Sequence, residues 1–499
     1  MAQTLPPWQE APARVESRRS VAWGPNGLHK PSTTRLAALC GVGGLAVLVL
    51  ALPGGPDGPA RISLVVFILA VALWAGTRID DTYVALGAAL ALVATGVVGS
   101  EALFSTLGSE TIWLLVAAFV LSAGVSATGL TGRFAALLMT RATSVRQLAH
   151  LVTVSLLVTA FAVPSTSGRA ALTLPIFTAL AGVIAERRRV VKAFSVLFPT
   201  VILLTAVATL IGAGAHLVTN EVLAATTGDQ ISFARWLLLG IPLAALSAHT
   251  ATELVLALFT TATDRSEPLR ISAADLAAGV STPLAGPLTR SETRALVILG
   301  AVALGWCTAG LHGAHPALIA LAGALVITSP RVGTTTMSAG LRTVPWSLLV
   351  FMAATATLSA ALAASGAAQW LAGGMFGAVA TAPVWAVVLT VVSISVAAHL
   401  LIQSRTARSS VLVPLVIPVA LAAGLNPVAL AFASTAAAGF CHTLTSSAKP
   451  VAMFSDVAGI PTYDSADLLR LSARLAPMTV LLVVVCALWL WPHLGLPLS

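Results

Sequence analysis

The sequence predicts an all-α polytopic membrane protein of about eleven transmembrane helices in two inverted repeats, with two re-entrant hairpins and two unwound helices. Hydrophobic residues make up 57% of the 499 residues and charged residues only 9%, which is far from the composition of a soluble domain. Apolar stretches of about 17–25 residues, the length that crosses a bilayer, follow one another along the chain. Two polar interruptions of these stretches resemble each other and lie at matching points of the two halves.

The two interruptions share one pattern. Residues 164–175 and 403–414 both read Ser-x-(Ser/Thr)-small-Arg, with a proline six residues after the arginine. The arginines are Arg169 and Arg408, and the offset of 239 residues between them holds at the shared serine and proline as well. Paired breaks of this kind in a membrane protein indicate a binding site between two structural repeats.

The chain divides into five predicted regions. They are a disordered cytosolic tail, a first transmembrane helix with its loop, a first repeat, a cytosolic linker loop and a second repeat, at residues 1–35, 36–61, 62–260, 261–293 and 294–499. Uninterrupted spans are predicted near 36–52, 62–77, 82–99, 110–129, 233–260, 294–310, 314–330, 346–364 and 466–491.

Four further segments are apolar but interrupted. Residues 144–185 and 381–424 each consist of an apolar arm, a polar tip and a second apolar arm. Each arm is near or below the length needed to cross the membrane, which predicts re-entrant hairpins. The segments 190–228 and 427–458 resemble spanning helices that unwind at their middle. We predict the breaks at 212–220 and 439–450.

The basic residues predict the orientation. The net charge of +9 comes mostly from short loops that fall on one side of the predicted membrane, so it indicates topology rather than nucleic-acid binding. We therefore expect a multi-pass protein of the inner (plasma) membrane with a cytosolic N-terminus. An odd number of crossings separates the two hairpins, so we expect them to enter from opposite sides.

Neither catalysis nor a bound metal or cofactor is predicted. The four cysteines lack the spacing of a zinc site or a disulfide framework. Residues 446–449 match the S-x-x-K pattern of serine acylases, but its companion motifs are absent from the sequence.

The polar breaks carry the chemistry of anion binding. Hairpin tips present helix N-termini, whose free N–H groups favour anions, and hydroxyl and cationic side chains lie beside them. A buried arginine in a membrane needs a ligand or a counter-charge, although an arginine that extends to the interface is an alternative. The predicted substrate-binding residues are Ser165, Thr166, Ser167, Arg169, Ser404, Arg405, Thr406, Arg408, Thr445, Ser446, Ser447 and Lys449.

Three polar residues in the unwound helices are candidates for ion coupling. His216 and His442 occupy comparable places, and a histidine titrates near physiological pH. A neutral imidazole that caps a broken helix is an equally good interpretation. Asn220 is the third candidate.

The tips resemble those of the divalent anion:sodium symporters, carriers of dicarboxylates, citrate and sulfate whose hairpins contain paired Ser-Asn-Thr motifs. Residues 165–169 and 404–408 occupy those places, and 109–113 and 231–236 are similar to family segments as well. The resemblance runs from about 62 to 490. It implies a homodimer in which the hairpins and unwound helices move like an elevator against a scaffold near 62–99 and 294–330.

The sequence departs from the family motif at its asparagines. Thr166 and Arg405 replace them, and in the family those asparagines help to bind sodium. We therefore expect a secondary transporter of small di- or tricarboxylates that works by exchange or proton coupling rather than with sodium. A sulfate or metalloid oxyanion permease is the alternative, followed by an anion channel. The expected partners are the anionic substrate, the lipid bilayer and a second copy of the chain.

Overall fold

The computed structural model describes residues 56–77, 79–277, 284, 286–370 and 382–499. The predicted tail at 1–35, the predicted span at 36–52 and part of the linker loop lie outside the described residues. Throughout the described ranges the chain forms helices and turns, and the one β-type contact there is an isolated bridge between Ser144 and Pro268.

The first half contains twelve α-helices within these ranges. They are α1 Gly58–Gly76, α2 Asp81–Ala94, α3 Ser100–Leu107, α4 Glu110–Ser126, α5 Leu130–Met139, α6 Val145–Ala162, α7 Thr166–Val183, α8 Arg188–Leu204, α9 Gly214–Thr227, α10 Phe233–Phe259, α11 Ala262–Ser266 and α12 Ala273–Ala277. Two 3₁₀ turns, Thr205–Ala208 and Leu210–Gly212, separate α8 from α9.

The second half follows a similar order in its described part. Its helices are α13 Arg290–Cys307, α14 Ala309–His312, α15 Pro316–Ile327, α16 Met337–Arg342, α17 Trp346–Ala364, α18 Val384–Ala397, α19 Arg405–Ala422, α20 Pro427–Ala438, α21 Lys449–Ser455, α22 Ser465–Val485 and α23 Trp491–His493. Short 3₁₀ turns, Ala398–Leu400 and Thr445–Ser447, precede α19 and α21.

The helices confirm the predicted all-α membrane fold. Within the described ranges, eight helical stretches are long and apolar enough to cross a membrane. They are Gly58–Gly76, Ser100–Ser126, Val145–Ala162, Arg188–Ala208, Phe233–Phe259, Trp346–Ala364, Arg405–Ala422 and Ser465–His493. The predicted span at 346–364 coincides with α17.

The first break differs from the prediction. It was predicted at 212–220, but the chain unwinds between α8 and α9, and residues from Gly214 onward are helical again. The physical reason is that side chains form hydrogen bonds with backbone carbonyls upstream of the predicted break, where the helix unwinds. The carbonyls of Ile202, Val207 and Thr209 are each hydrogen-bonded by a side chain, so they need no helical partner.

Aromatic contacts hold the interrupted helices together. Phe177 of α7, Phe198 of α8 and Phe454 of α21 form a buried cluster with ring centroids 5.4–5.6 Å apart. A second buried group joins Trp236 of α10, Phe432 of α20 and Trp491 of α23. Because each cluster spans several helices, it fixes the positions of the two breaks relative to each other.

A separate group of helices covers this assembly. Helix α17 packs on α2, α3, α9 and α19. Helices α4, α13, α15 and α16 pack together. Two residues 159 positions apart, Arg133 of α5 and Glu292 at the start of α13, form a buried ion pair of 3.0 Å.

Candidate functional site

The candidate site is a cavity of about 430 Å³ at which several helices begin. The first residues of α2, α7, α9, α17, α19 and α21 line it. The N-terminus of a helix carries unpaired N–H groups and a partial positive charge. The convergence of helix starts therefore gives the cavity an electrostatic preference for anions.

Both hairpin tips are capped by their own serines. Ser165 accepts a hydrogen bond from the Gly168 N–H at the start of α7, and Ser404 accepts one from the Ala407 N–H at the start of α19, each at 3.3 Å. Such caps satisfy one of the orphan donors of each helix. The remaining donors and the hydroxyls of residues 166, 167 and 406 stay at the cavity wall.

The two tips are bonded directly to each other. The guanidinium Nη2 of Arg405 donates to the hydroxyl of Thr166 at 3.0 Å. Arg405 also lines a second, water-sized cavity, in which it lies near His216. One charged side chain thus connects the hairpin tips to the interior of the unwound helix.

The unwound helices restart with matching backbone geometry. Ala213 precedes α9 with φ −155° and ψ 148°, and Ala448 precedes α21 with φ −156° and ψ 144°. Neither alanine can cap the helix through its side chain. At the first restart, a Cβ on Gly214 would lie 2.8 Å from Cγ2 of Thr406, so glycine allows α9 to approach the second hairpin tip.

Arg169 does not line the cavity. Its side chain is fully buried, and it donates to the hydroxyls of Thr159 and Thr205 and to the carbonyls of Leu156 and Ile202. These four acceptors satisfy the guanidinium, and two of them, Ile202 and Thr205, lie at the start of the first break. This arrangement assigns Arg169 to the support of the break.

Arg408 occupies the corresponding place in the second half, with fewer partners. It is fully buried and donates from Nη1 to the carbonyl of Phe440 at 2.8 Å. Its Nε and Nη2 atoms have no partner in hydrogen-bonding geometry among the described residues, and the same holds for the hydroxyl of Ser409 and Nε2 of His442. The buried polar groups near the second break thus have fewer hydrogen-bond partners among the described residues than those near the first.

The coupling candidates are bonded inside the protein. His216 pairs through Nδ1 with the carbonyl of Thr209 at 3.0 Å and lies against the Trp236 ring. Asn220 forms two hydrogen bonds with the backbone of Ile231. Its side chain accepts from the Ile231 N–H at 2.8 Å and donates to the Ile231 carbonyl at 3.2 Å. His442 accepts a long bond of 3.4 Å from the Cys441 N–H.

Seven of the predicted binding residues line the cavity. They are Thr166, Ser167, Ser404, Arg405, Thr406, Ser447 and Lys449. The structure does not bring the other predicted residues to this wall, namely Ser165, Arg169, His216, Asn220, Arg408, His442 and Thr445. The side chain of Ser446 lies outside the described part. Lys449 is the first residue of α21. The Tyr463 hydroxyl donates a hydrogen bond to the Val451 carbonyl and so fixes this helix.

Four lining residues of the cavity were not predicted from the sequence. Asp80, Asp81 and Thr82 at the start of α2 face the cavity together with Ser347 at the start of α17. Thr82 donates to the carbonyl of Ser347 at 3.2 Å and joins the two helices. The signal in the sequence was the acidic pair directly before an apolar run, which is a helix N-cap pattern.

Among the described residues, no cluster of three or more His, Cys, Asp or Glu side chains is arranged to hold a metal ion. Residues 32–496 match the family described as "Sodium:sulfate symporter transmembrane region". The chain belongs to the sodium:sulfate symporter family. This confirms the resemblance to the divalent anion:sodium symporters.

Other similarities agree with a membrane transporter fold. A "Membrane protein" of Cupriavidus necator is 25% identical over 317 residues, which cover 61% of this chain and 60% of that protein. The crystal structure of the Alcanivorax borkumensis YdaH transporter, described as having an unusual topology, matches with a TM-score of 0.52 and 17% identity. It covers 88% of this chain and 99% of YdaH.

A second solved structure is more distant. Neisseria gonorrhoeae MtrF, described as representing a class of antimetabolite efflux pumps, matches with a TM-score of 0.48 and 14% identity. It covers 92% of this chain and 99% of MtrF.

Proposed function

We propose that this symporter-family protein is a secondary active transporter of small di- or tricarboxylates. The observation that carries the proposal is the cavity at the hairpin tips. Four hydroxyl side chains of the tips and two cationic ones, Arg405 and Lys449, meet the starts of several helices there. A carboxylate offers the oxygen acceptors that these donors require.

The size of the cavity supports a substrate with more than one anionic group. A volume of about 430 Å³ lies at the lower end of the range for small-molecule sites and exceeds the need of a single monovalent ion. Arg405 on the second tip and Lys449 on α21 supply two separate positive charges. One carboxylate of a substrate would meet each of them.

We propose an elevator-type movement within a homodimer. The hairpins and unwound helices form the moving part, in which Arg169, Arg408 and the aromatic clusters hold the breaks rigid. The helices α1, α2, α13 and α15 belong to the scaffold. Residues that line the cavity bind the substrate, whereas the two buried arginines position the tips.

We further propose that the protein exchanges one anion for another across the membrane. Proton-coupled transport is the competing scheme. Arg405 takes the place of an asparagine of the family motif, so a fixed cation stands where sodium is bound in the resembling carriers. The hydrogen bonds of His216 and Asn220 to backbone groups support a role in holding the first unwound helix.

Sulfate transport is the second candidate, because the matched family is described by sodium:sulfate symport. A thermal-shift series with succinate, citrate and sulfate on the purified protein separates the two, since a bound ligand stabilises the folded state by mass action. Succinate or citrate should raise Tm in a saturable manner. Stabilisation by sulfate alone would reassign the substrate, and steady anion current without saturable exchange in liposomes would indicate a channel.

A further inference from the structure

We propose that His150 and His249 form a proton-binding site that holds one proton but not two, and that this site makes transport sensitive to pH. Nδ1 of His150 on α6 lies 2.9 Å from Nδ1 of His249 on α10, and the two rings are stacked with their centroids 5.1 Å apart. Both histidines lie outside the lining of the cavity at the hairpin tips. The effect on transport rests on the proposed function, whereas the binding of protons does not.

A carboxylate fixes the second ring nitrogen of His150. Nε2 of His150 lies 2.6 Å from Oε1 of Glu253, and the same oxygen accepts a hydrogen bond from Nε of Arg146 at 2.7 Å. The ion pair with Arg146 favours the ionised form of Glu253, and an ionised carboxylate only accepts hydrogen bonds. Nε2 of His150 therefore carries a hydrogen.

The two Nδ1 atoms consequently share a single hydrogen. A hydrogen bond needs a hydrogen on one nitrogen and a lone pair on the other. With both rings neutral, His249 donates to His150, and Nε2 of His249 can take up one further proton without loss of this bond. A second proton would place a hydrogen on both Nδ1 atoms, which lie only 2.9 Å apart, and would break the contact.

The charged residues of the neighbouring helices give the pair one counter-charge. Within the described ranges, Glu253 is the one acid in contact with either ring. The acids on α11 and α22 are engaged elsewhere, because Asp264 caps its own helix and Asp467 pairs with Lys192 of α8. The other charged residues on the helices packed against α6 and α10 include the basic residues Arg133, Arg169, Arg188, Arg189, Arg265, Arg470 and Arg474. These positive charges cannot offset a second imidazolium.

Protons can reach the pair from water. The side chains of Arg146, Glu253 and His150 are 63%, 39% and 30% exposed, and a charged side chain as exposed as that of Arg146 faces an aqueous phase rather than lipid tails. A histidine has an ordinary pKa of about 6.5, so a mildly acidic solution offers the second proton.

The contact belongs to a row of polar pairs between α6 and α10. One turn further along, the hydroxyls of Thr153 and Thr252 are hydrogen-bonded at 2.7 Å, with the same offset of 99 residues. Beyond them on α6, the carbonyl of Leu156 and the hydroxyl of Thr159 accept hydrogen bonds from Arg169 beside the first hairpin tip. Loss of the histidine contact therefore loosens the helix that holds Arg169, which should slow exchange.

The first experiment measures Tm of the purified wild type and of His249→Asn at about pH 7 and at about pH 5. Asparagine does not titrate, and its amide can donate to His150 or accept from it. Below a pH of about 6.5 the unfolded wild type binds two protons on these histidines and the folded protein binds one, so stability falls as the pH falls. In His249→Asn both states bind one proton. The Tm of the variant minus that of wild type should therefore rise by at least about 2 °C between the two pH values.

Two further variants complete this experiment. His493→Asn removes an exposed histidine outside the pair and should leave the pH dependence of Tm as in wild type. If His249→Asn does not yield folded protein, His150→Gln replaces it, because glutamine keeps a donor for Glu253 and removes the titrating ring.

The second experiment measures exchange of labelled succinate in proteoliposomes at the same two pH values. The exchange rate of wild type, relative to that of His249→Asn, should fall at least about threefold from the higher to the lower pH. Comparing the two proteins at each pH cancels the protonation of succinate itself, which affects both alike.

The two experiments can fail separately. Parallel Tm curves of wild type and His249→Asn would overturn the proton-binding site. A difference in the Tm curves without a difference in exchange would overturn the role of the site in transport. A wild type that exchanges neither succinate, citrate nor sulfate would overturn the proposed function, while the Tm curves would still decide whether the pair holds one proton or two.

Discussion

Thr166 and Arg405 hold equivalent positions in the two tip motifs, and they are hydrogen-bonded to each other at 3.0 Å. Their separation of 239 residues is the offset that relates Arg169 to Arg408. A contact between equivalent residues is expected where two related segments of the chain face each other. The bond orients the Arg405 guanidinium at the wall of the cavity.

Removing this bond should weaken substrate binding. Thr166→Val keeps the shape of the side chain but deletes the acceptor, so Arg405 must be ordered by the substrate itself, at a cost in side-chain entropy. We expect the KM for succinate exchange to rise about threefold to tenfold. Thr166→Ser retains the hydroxyl and should stay near wild type, and an unchanged KM in Thr166→Val would show that the bond has no role in binding.

The two buried arginines should differ in their effect on stability. Arg169→Ala removes a donor group shared by four acceptors, and each buried group left without a partner costs about 1–3 kcal/mol. Arg408→Ala removes one bond to Phe440, and it also removes a buried charge whose donors are only partly used among the described residues.

We therefore expect a larger fall in Tm for Arg169→Ala than for Arg408→Ala, measured by fluorescence during heating in detergent. Size-exclusion chromatography of both variants controls for aggregation. An equal or reversed order would mean that Arg169 does not support the first break more strongly than Arg408 supports the second.

Close packing of α10 on the first break makes a third prediction. A Cβ on Gly240 would lie 2.1 Å from the Val207 carbonyl oxygen, the same oxygen that accepts the Trp236 indole N–H. Gly240→Ala must displace the unwound segment, and overpacking of this kind costs about 1–3 kcal/mol.

Gly182 on α7 provides the matched control, because a Cβ there meets nothing within 4 Å. Gly182→Ala should keep or raise Tm, since alanine favours a helix by up to about 1 kcal/mol. A Tm of Gly240→Ala equal to that of Gly182→Ala would contradict the close approach of α10 to the break.

The sequence predicted the features that depend on local pattern. The polar segments at 164–175 and 403–414 stand out because polar residues interrupt apolar runs, and Thr166 and Arg405 of these segments line the cavity. The bounds of α17 follow from its uninterrupted apolar length.

The remaining features depend on contacts between distant residues. The sequence shows Arg169 beside tip serines, yet its side chain turns to the carbonyls of Leu156 in α6 and of Ile202, which lies just before the unwound segment. Asp81 lines the same cavity as the tip of α19, and this neighbourhood depends on the packing of distant helices, which no local pattern reveals. The position of the first break depends on Trp236, which is distant in sequence.

The last prediction is that transport does not need sodium. A cation bound about 4 Å from the Arg405 guanidinium would be repelled by about 4 kcal/mol at an effective dielectric constant near 20. Arg405 is held at the tip by Thr166, so it cannot easily withdraw. In proteoliposomes preloaded with unlabelled succinate, uptake of labelled succinate should persist when choline replaces sodium.

Arg405→Asn sharpens this test, because it removes the fixed charge and introduces the residue of the family motif at that position. If the guanidinium takes the place of a bound sodium ion, exchange by Arg405→Asn should be weak in choline and should increase when sodium is added, while wild type stays unaffected. Wild-type uptake that rises steeply and saturably with sodium concentration would show that the Arg405 guanidinium does not take the place of a bound sodium ion. It would also require the guanidinium to turn away from Thr166 during transport.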